Sequence, residues 1–244
     1  MYINAVFKRE EAIDERDAYL NDIPAIATLT TLQLCKPVTF FVGENGSGKS
    51  TLLEAIAVSF GFNPEGGSRD FNFRSVETHS GFYELLRLSK GVARPKDGFF
   101  LRAESFYNVA SEVDRLADDP MDTFLDSYGG KSLHAQSHGE SFLSLMLNRF
   151  RGNGLYLLDE PEAALSPSRQ MTLLARMHSL VQKQSQFIIA THSPILMAYP
   201  NAQILLLGGD GLYPIDYKQT EHYQITRSFL ENPERMLRVL MEDD

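Results

Sequence analysis

The chain has 244 residues, with 23 Lys plus Arg against 32 Asp plus Glu and hence a formal charge of −9. Hydrophobic residues make up 43% and charged residues 23%, a globular balance that excludes disorder as the main state and supports a substantial core. A single cysteine, Cys35, excludes a disulfide framework or a cysteine-cluster zinc site. It points to a reducing, cytoplasmic setting, and the acidity argues against a general affinity for nucleic acid.

In chain order, the N-terminus shows no apolar core of a secretory signal, and no run approaches the ~20 apolar residues of a membrane helix. Val38–Val42 is β-branched and aromatic and stops at Gly43, which predicts a buried strand. From Ser50 to Phe60, Leu52, Leu53, Ile56, Ala57 and Phe60 recur at helical spacing until Gly61. Residues 62–80 read as a loop-rich surface insertion, in which Arg69 and Arg74 either meet phosphates or are simply solvated. A short helix is expected over Gly81–Ser89, a strand over Gly98–Leu101, and a helix broken at Pro120 over Ser111–Ser127. Gly154–Leu158, Phe187–Ala190 and Gln203–Leu207 are further strands, with helices near Ser141–Phe150 and Ser168–Gln182. Gly208–Gly211 suggests a tight turn into Leu212–Ile215, and a final helix is expected from Thr220. Strands alternating with helices predict an α/β fold whose mostly parallel sheet is flanked by helices. No repeat or linker divides it, so residues 1–244 are expected to form one domain.

Two motifs carry chemistry. Gly43-Glu44-Asn45-Gly46-Ser47-Gly48-Lys49-Ser50, followed by Thr51, stands between the predicted strand and helix as a phosphate loop, the Walker A pattern of P-loop NTPases. Glycines let successive backbone N–H groups point at a phosphate, and the helix start adds its positive end. Lys49 can reach the β and γ oxygens, and the Ser50 hydroxyl can ligate Mg²⁺. Asp159 and Glu160 end a second buried strand, as in a Walker B pair. Asp159 is expected in the Mg²⁺ shell and Glu160 against the attacking water. Two adjacent acids there also suit a helix start, since Pro161 and Glu162 follow.

These residues resemble the ATP-binding cassette (ABC) ATPases over nearly the whole chain. Ser137-His138-Gly139-Glu140 is similar to the signature motif, 22 residues before Asp159, although His138 stands where the family usually has glycine. The resemblance implies that Ser137, Gly139 and Glu140 meet the nucleotide of a partner subunit, within a helical signature region inserted at about residues 105–150. The same Ser-x-x-Glu spacing also fits a capping box, and the two readings are compatible. Thr191-His192-Ser193 resembles the switch histidine, which implies a hydrogen bond from His192 to the γ-phosphate. Glu162-Ala-Ala-Leu165-Ser166 resembles the loop that crosses the dimer interface, with Ser166 where transporters commonly have aspartate. No glutamine lies between Lys49 and Gln136, so Glu104 is the stand-in for the family's Mg²⁺-touching glutamine.

The Asp159–Pro167 text is similar to the soluble branch typified by RecF, SMC and OLD-family ATPases. That resemblance implies an ATPase using ATP and Mg²⁺, a homodimer formed on ATP binding, and work on DNA or a protein in repair, maintenance or phage defence. Only 87 residues separate Lys49 from Ser137, too few for a long coiled-coil arm. The alternative is the energy-coupling subunit of a membrane transporter, since the chain has no transmembrane segment of its own. A further alternative is a slow regulatory switch whose output is dimerisation.

Overall fold

The computed structural model describes residues 1–11, 14–68, 80–102, 106 and 138–241. Strands β1 (Ile3–Lys8), β2 (Thr31–Gln33) and β5 (Leu86–Lys90) make a small antiparallel sheet in the order β2-β1-β5. The larger sheet contains β3 (Val38–Val42), β4 (Gly67–Ser68), β6 (Asp97–Arg102), β7 (Gly154–Asp159), β8 (Gln186–Ala190), β9 (Gln203–Gly208) and β10 (Gly211–Pro214). Its order is β10-β9-β3-β8-β7-β6-β4; the five inner strands run parallel and the two edge strands antiparallel.

The inner strands are apolar on both faces because both faces are covered. In β3 all five residues are buried, and alternation sends Val38, Phe40 and Val42 into one core and Phe41 into the other. The first core closes against α3 (His138–Asn148) and α4 (Pro167–Gln182) through Phe142, Leu145, Leu173 and Met177. The second closes against α2 (Lys49–Phe60) through Leu52, Leu53 and Ile56, and against the small sheet through Ile3 and Val6. Short helices α1 (Pro24–Ala27) and α5 (Pro194–Met197) flank the sheet, and α6 (Glu221–Glu231) and α7 (Pro233–Met241) end the described chain.

A buried amide ties the two sheets. The Gln186 side-chain oxygen accepts from the backbone N–H of Tyr2 (2.7 Å) and Ile3 (3.0 Å), while its NH₂ donates to the Ile3 carbonyl (2.8 Å). Backbone groups of β1 that would otherwise be orphaned are thereby satisfied.

Two expectations need correction. Gly81–Ser89 is not a helix but a 3₁₀ turn (Gly81–Leu85) leading into β5. There Leu86 is buried and Arg87 exposed, so period-two burial against β1 overrides the local pattern. The final helix is two, because Pro233 lacks the N–H to continue α6 and instead opens α7. The expected Ser111–Ser127 helix, Arg69 and Arg74 lie outside the described residues, as does most of the expected 105–150 region.

Candidate active site

One line of register assembles the site. Phe41 of β3 pairs with Ala190 of β8, Ala190 with Asp159 of β7, and Asp159 with Arg102 of β6. The loops after β3, β7 and β8 therefore leave the sheet side by side at its C-terminal edge, where ligands of open α/β sheets collect. That edge receives Gly43–Ser50, Glu160 and His192 together.

Backbone curvature in the phosphate loop depends on glycine. Gly43, Gly46 and Gly48 have φ of 147°, 80° and 92°, which favours residues without a Cβ. At Gly43 a Cβ would stand 2.4 Å from the Leu207 carbonyl oxygen, and at Gly48 2.8 Å from Ile23. Between them Glu44 and Asn45 are exposed. Lys49 opens α2 and is buried, with its Nζ donating to the carbonyls of Gly43 (3.0 Å) and Glu44 (2.8 Å). Burial lowers its pKa from the ordinary lysine value, while Glu160, Asp159 and Glu162 pull it back up. Thr51 continues the first turn of α2.

Ser50 Oγ donates to Asp159 Oδ1 at 2.8 Å, joining the two motifs across 109 residues. A hydroxyl and a carboxylate this close form a pair of hard oxygens that would suit a Mg²⁺ ion. Among the described residues no group of three or more His, Cys, Asp or Glu side chains makes a self-contained metal cage. Glu104, the third expected metal contact, lies outside the described residues. Arg102 stands over the pair instead, its Nη1 2.5 Å from Glu54 and its Nε 3.8 Å from Asp159.

Glu160 sits in the left-handed region (φ 47°, ψ 51°), uncommon for a side chain with a Cβ and costing of order 1 kcal/mol. Its N–H donates to the Ala190 carbonyl (2.9 Å) and its carbonyl accepts from Ala163 (3.0 Å), holding the turn. The half-exposed carboxylate is 3.5 Å from His192 Nε2. His192 is fixed on two other sides: its N–H donates to Glu162 Oε1 (2.5 Å), and its Nδ1 lies 2.8 Å from Nε2 of His222. Burial and then Lys49 and His222 lower the His192 pKa, so the ring is neutral at pH 7. Burial raises the Glu162 carboxyl. Ser47 Oγ and His192 Nε2 are buried with no hydrogen-bond partner among the described residues.

The N-terminus of α3 packs on the loop that follows Glu160. A Cβ on Gly139 would meet both the Ala164 carbonyl and Arg169 Nη1 at 2.6 Å, and Arg169 pairs with Glu140 at 3.3 Å. Ser137 lies outside the described residues. Ser166 precedes α4 without capping it.

Sequence reasoning missed Arg102, Gln170 and His222. Buried Gln170 donates to the Leu165 carbonyl (2.9 Å) and accepts from Ser193 Oγ (2.5 Å), tying the loop after Glu160 to the one bearing His192. Only Arg102 left a local signal, a charge ending an apolar strand. The other two reach the site through tertiary packing alone.

Two family models match the chain: "AAA domain" over residues 20–113, and "AAA domain, putative AbiEii toxin, Type IV TA system" over residues 135–198. The "Putative ABC transporter ATP-binding protein TTE0246" of Caldanaerobacter subterraneus subsp. tengcongensis is 28% identical over 188 residues, 71% of this chain and 77% of that protein. The hemin import ATP-binding protein HmuV of Idiomarina loihiensis is 28% identical, over 77% of this chain and 79% of its own length. The solved SMC head domain from Thermotoga maritima has a TM-score of 0.47 and 14% identity, over 88% of this chain and 100% of that chain. Among the described residues no helix is long and apolar enough to cross a membrane.

Proposed function

We propose, for a chain that belongs to the AAA/ABC-type ATP-binding cassettes and is an ATP hydrolase, a cycle in which two copies bind MgATP between them and hydrolyse it. The observation that carries the reading is the 2.8 Å contact of Ser50 with Asp159, beside Glu160 and His192 on one sheet edge. Gly43 to Thr51 wrap the phosphates with backbone N–H groups, and Lys49 neutralises the β and γ oxygens. Ser50 and Asp159 hold Mg²⁺, which when bound offsets charge on those oxygens. Glu160 takes a proton from the attacking water, and His192 donates to the γ-phosphate as charge develops there. Ser137, Gly139 and Glu140 of one copy close the nucleotide site of the other. The close approach of Gly139 to the Ala164 carbonyl supports that role, because it packs the start of α3 against the loop after Glu160.

The coupled partner is DNA or a protein, in maintenance or defence, consistent with the toxin-system description of the model matched over residues 135–198. A second reading, the energy-coupling subunit of a transporter, is favoured by the similarity to the transporter ATP-binding and hemin import ATP-binding proteins. Co-purification with an integral membrane protein would select it.

The test is Glu160→Gln. With MgATP the variant should run as a dimer in size-exclusion chromatography and release phosphate about 100-fold or more slowly, the scale of a lost general base. A variant that neither dimerises nor slows would overturn the proposal.

A further inference from the structure

Helix α6 brings a second histidine to the back of His192. Thr220, itself buried, starts the helix by accepting the Tyr223 N–H on its hydroxyl (3.4 Å). The next turn of chain sets His222 Nε2 2.8 Å from His192 Nδ1, with ring centroids 5.0 Å apart and planes at 58°. This is hydrogen-bond distance, so one nitrogen carries the proton and the other the lone pair.

The far side of His192 decides which. Its Nε2 faces Glu160 Oε1 at 3.5 Å, and an ionised carboxylate accepts but never donates. If His192 carried its proton on Nδ1, a bare Nε2 lone pair would face that carboxylate and have nothing to give an anionic phosphate. With the proton on Nε2, Nδ1 accepts and His222 donates, while the Nε2–H faces the Glu160 carboxylate without bonding it and stays available to a phosphate oxygen. The charged and titratable groups that bear on the pair are Lys49 from α2, Glu160 and Glu162 after β7, Glu44 from the phosphate loop and Glu221 from α6. Burial and then Lys49 lower the pKa of His222 as they do that of His192, so two neutral rings meet at pH 7.

We propose that His222 is a positioning residue, which donates its Nε2–H to His192 Nδ1 and so holds His192 in the Nε2–H form that serves the γ-phosphate. This rests on the reading of His192 given above, but its primary test needs no nucleotide. Long-range ¹H–¹⁵N correlation of the imidazoles at pH 8 reads the tautomer directly, with His192 assigned by loss of its signals in His192→Gln. Wild-type His192 should be protonated on Nε2, and His222→Phe should convert it to a mixture. In turnover, His222→Phe should lower kcat about tenfold, the scale seen when the group orienting a functional histidine is removed, with KM for ATP unchanged within about twofold. His222→Gln, which keeps an N–H donor, should retain most of the activity. Should His222→Phe not fold, the wild-type tautomer and the His222→Gln rate decide the matter. Protonation of wild-type His192 on Nδ1, or equal losses in the Gln and Phe variants, would overturn the proposal. Failure of hydrolysis itself is a separate result, read from Glu160→Gln.

Discussion

Strands β6 and β7 carry polar clusters at both ends, and the two are built on opposite plans. At the N-terminal edge, Asp97 pairs with Arg149 (2.6 Å) and accepts from the Tyr156 hydroxyl (2.7 Å) and the Arg151 N–H (2.9 Å). With its one proton on Asp97, the Tyr156 hydroxyl accepts the Arg151 N–H (2.6 Å), and the ring stacks on Phe150 at 4.2 Å. Asp97, Arg149 and the Tyr156 hydroxyl thus satisfy one another within the cluster. At the C-terminal edge, Glu160 and His192 stand 3.5 Å apart, Glu160 holds a left-handed backbone, and Ser47 Oγ and His192 Nε2 have no partner among the described residues. The same strands thus supply a closed cluster that stabilises the fold and an open one whose unmet hydrogen-bonding capacity suits a ligand.

The largest expected effect breaks the closed end. Asp97→Ala leaves Arg149 and the Tyr156 hydroxyl without their acceptor, and should cost about 3–5 kcal/mol. Urea unfolding should show the loss as a lower midpoint at unchanged slope, with turnover per folded molecule preserved. Burial alone would raise the Asp97 pKa, but Arg149, Tyr156 and the Arg151 N–H bring it below the ordinary value. Its contribution is therefore complete above the unfolded value of about 3.9 and is lost as pH falls through the folded one. Acid titration of wild type against Asp97→Asn should show the gap closing in that window.

A smaller effect at the open end is conditional on ligand. Lys49→Ala should change the stability of the free protein by no more than about 1 kcal/mol, because burial already disfavours the charge of Lys49. It should, however, abolish the roughly 2.7 kcal/mol that ATP at one hundred times its Kd confers on a binding-competent protein. Full ATP stabilisation of Lys49→Ala in a thermal-shift assay would erase the distinction between the two ends.

The contrast also explains what was legible beforehand. β3, α2, β7 and β8 follow from strong local patterns, so the strand, loop and helix contexts of Gly43–Ser50, Asp159, Glu160 and His192 are legible in the sequence. β1 and β5 were not, because an edge sheet of alternating, half-buried residues is specified by its partner rather than by its own apolarity. His222 and Gln170 were invisible for a related reason. Each is a polar residue on a helix, and its meaning appears only when packing brings it within 2.8 Å of His192 or 2.5 Å of Ser193. Arg102 could have been noticed at the end of β6, but its register opposite Asp159 could not.

The smallest effect has the opposite sign to the first and gives the finest test of the comparison. Glu162 is pressed beneath His192, and burial, with Glu160 adding to it, raises its carboxyl above the ordinary value despite the His192 N–H. The folded state therefore binds more protons than the unfolded one between about pH 4.3 and the raised value, and stability falls as pH rises through that window. Glu162→Gln keeps an oxygen for the His192 N–H and removes the buried charge. It should stabilise the protein by up to about 1 kcal/mol at pH 7, with the advantage shrinking as pH approaches 4. An acid whose removal stabilises is one retained for what it positions, here the backbone of His192. A destabilised Glu162→Gln, following Asp97→Ala in sign, would mean that the open end is held together in the same way as the closed one.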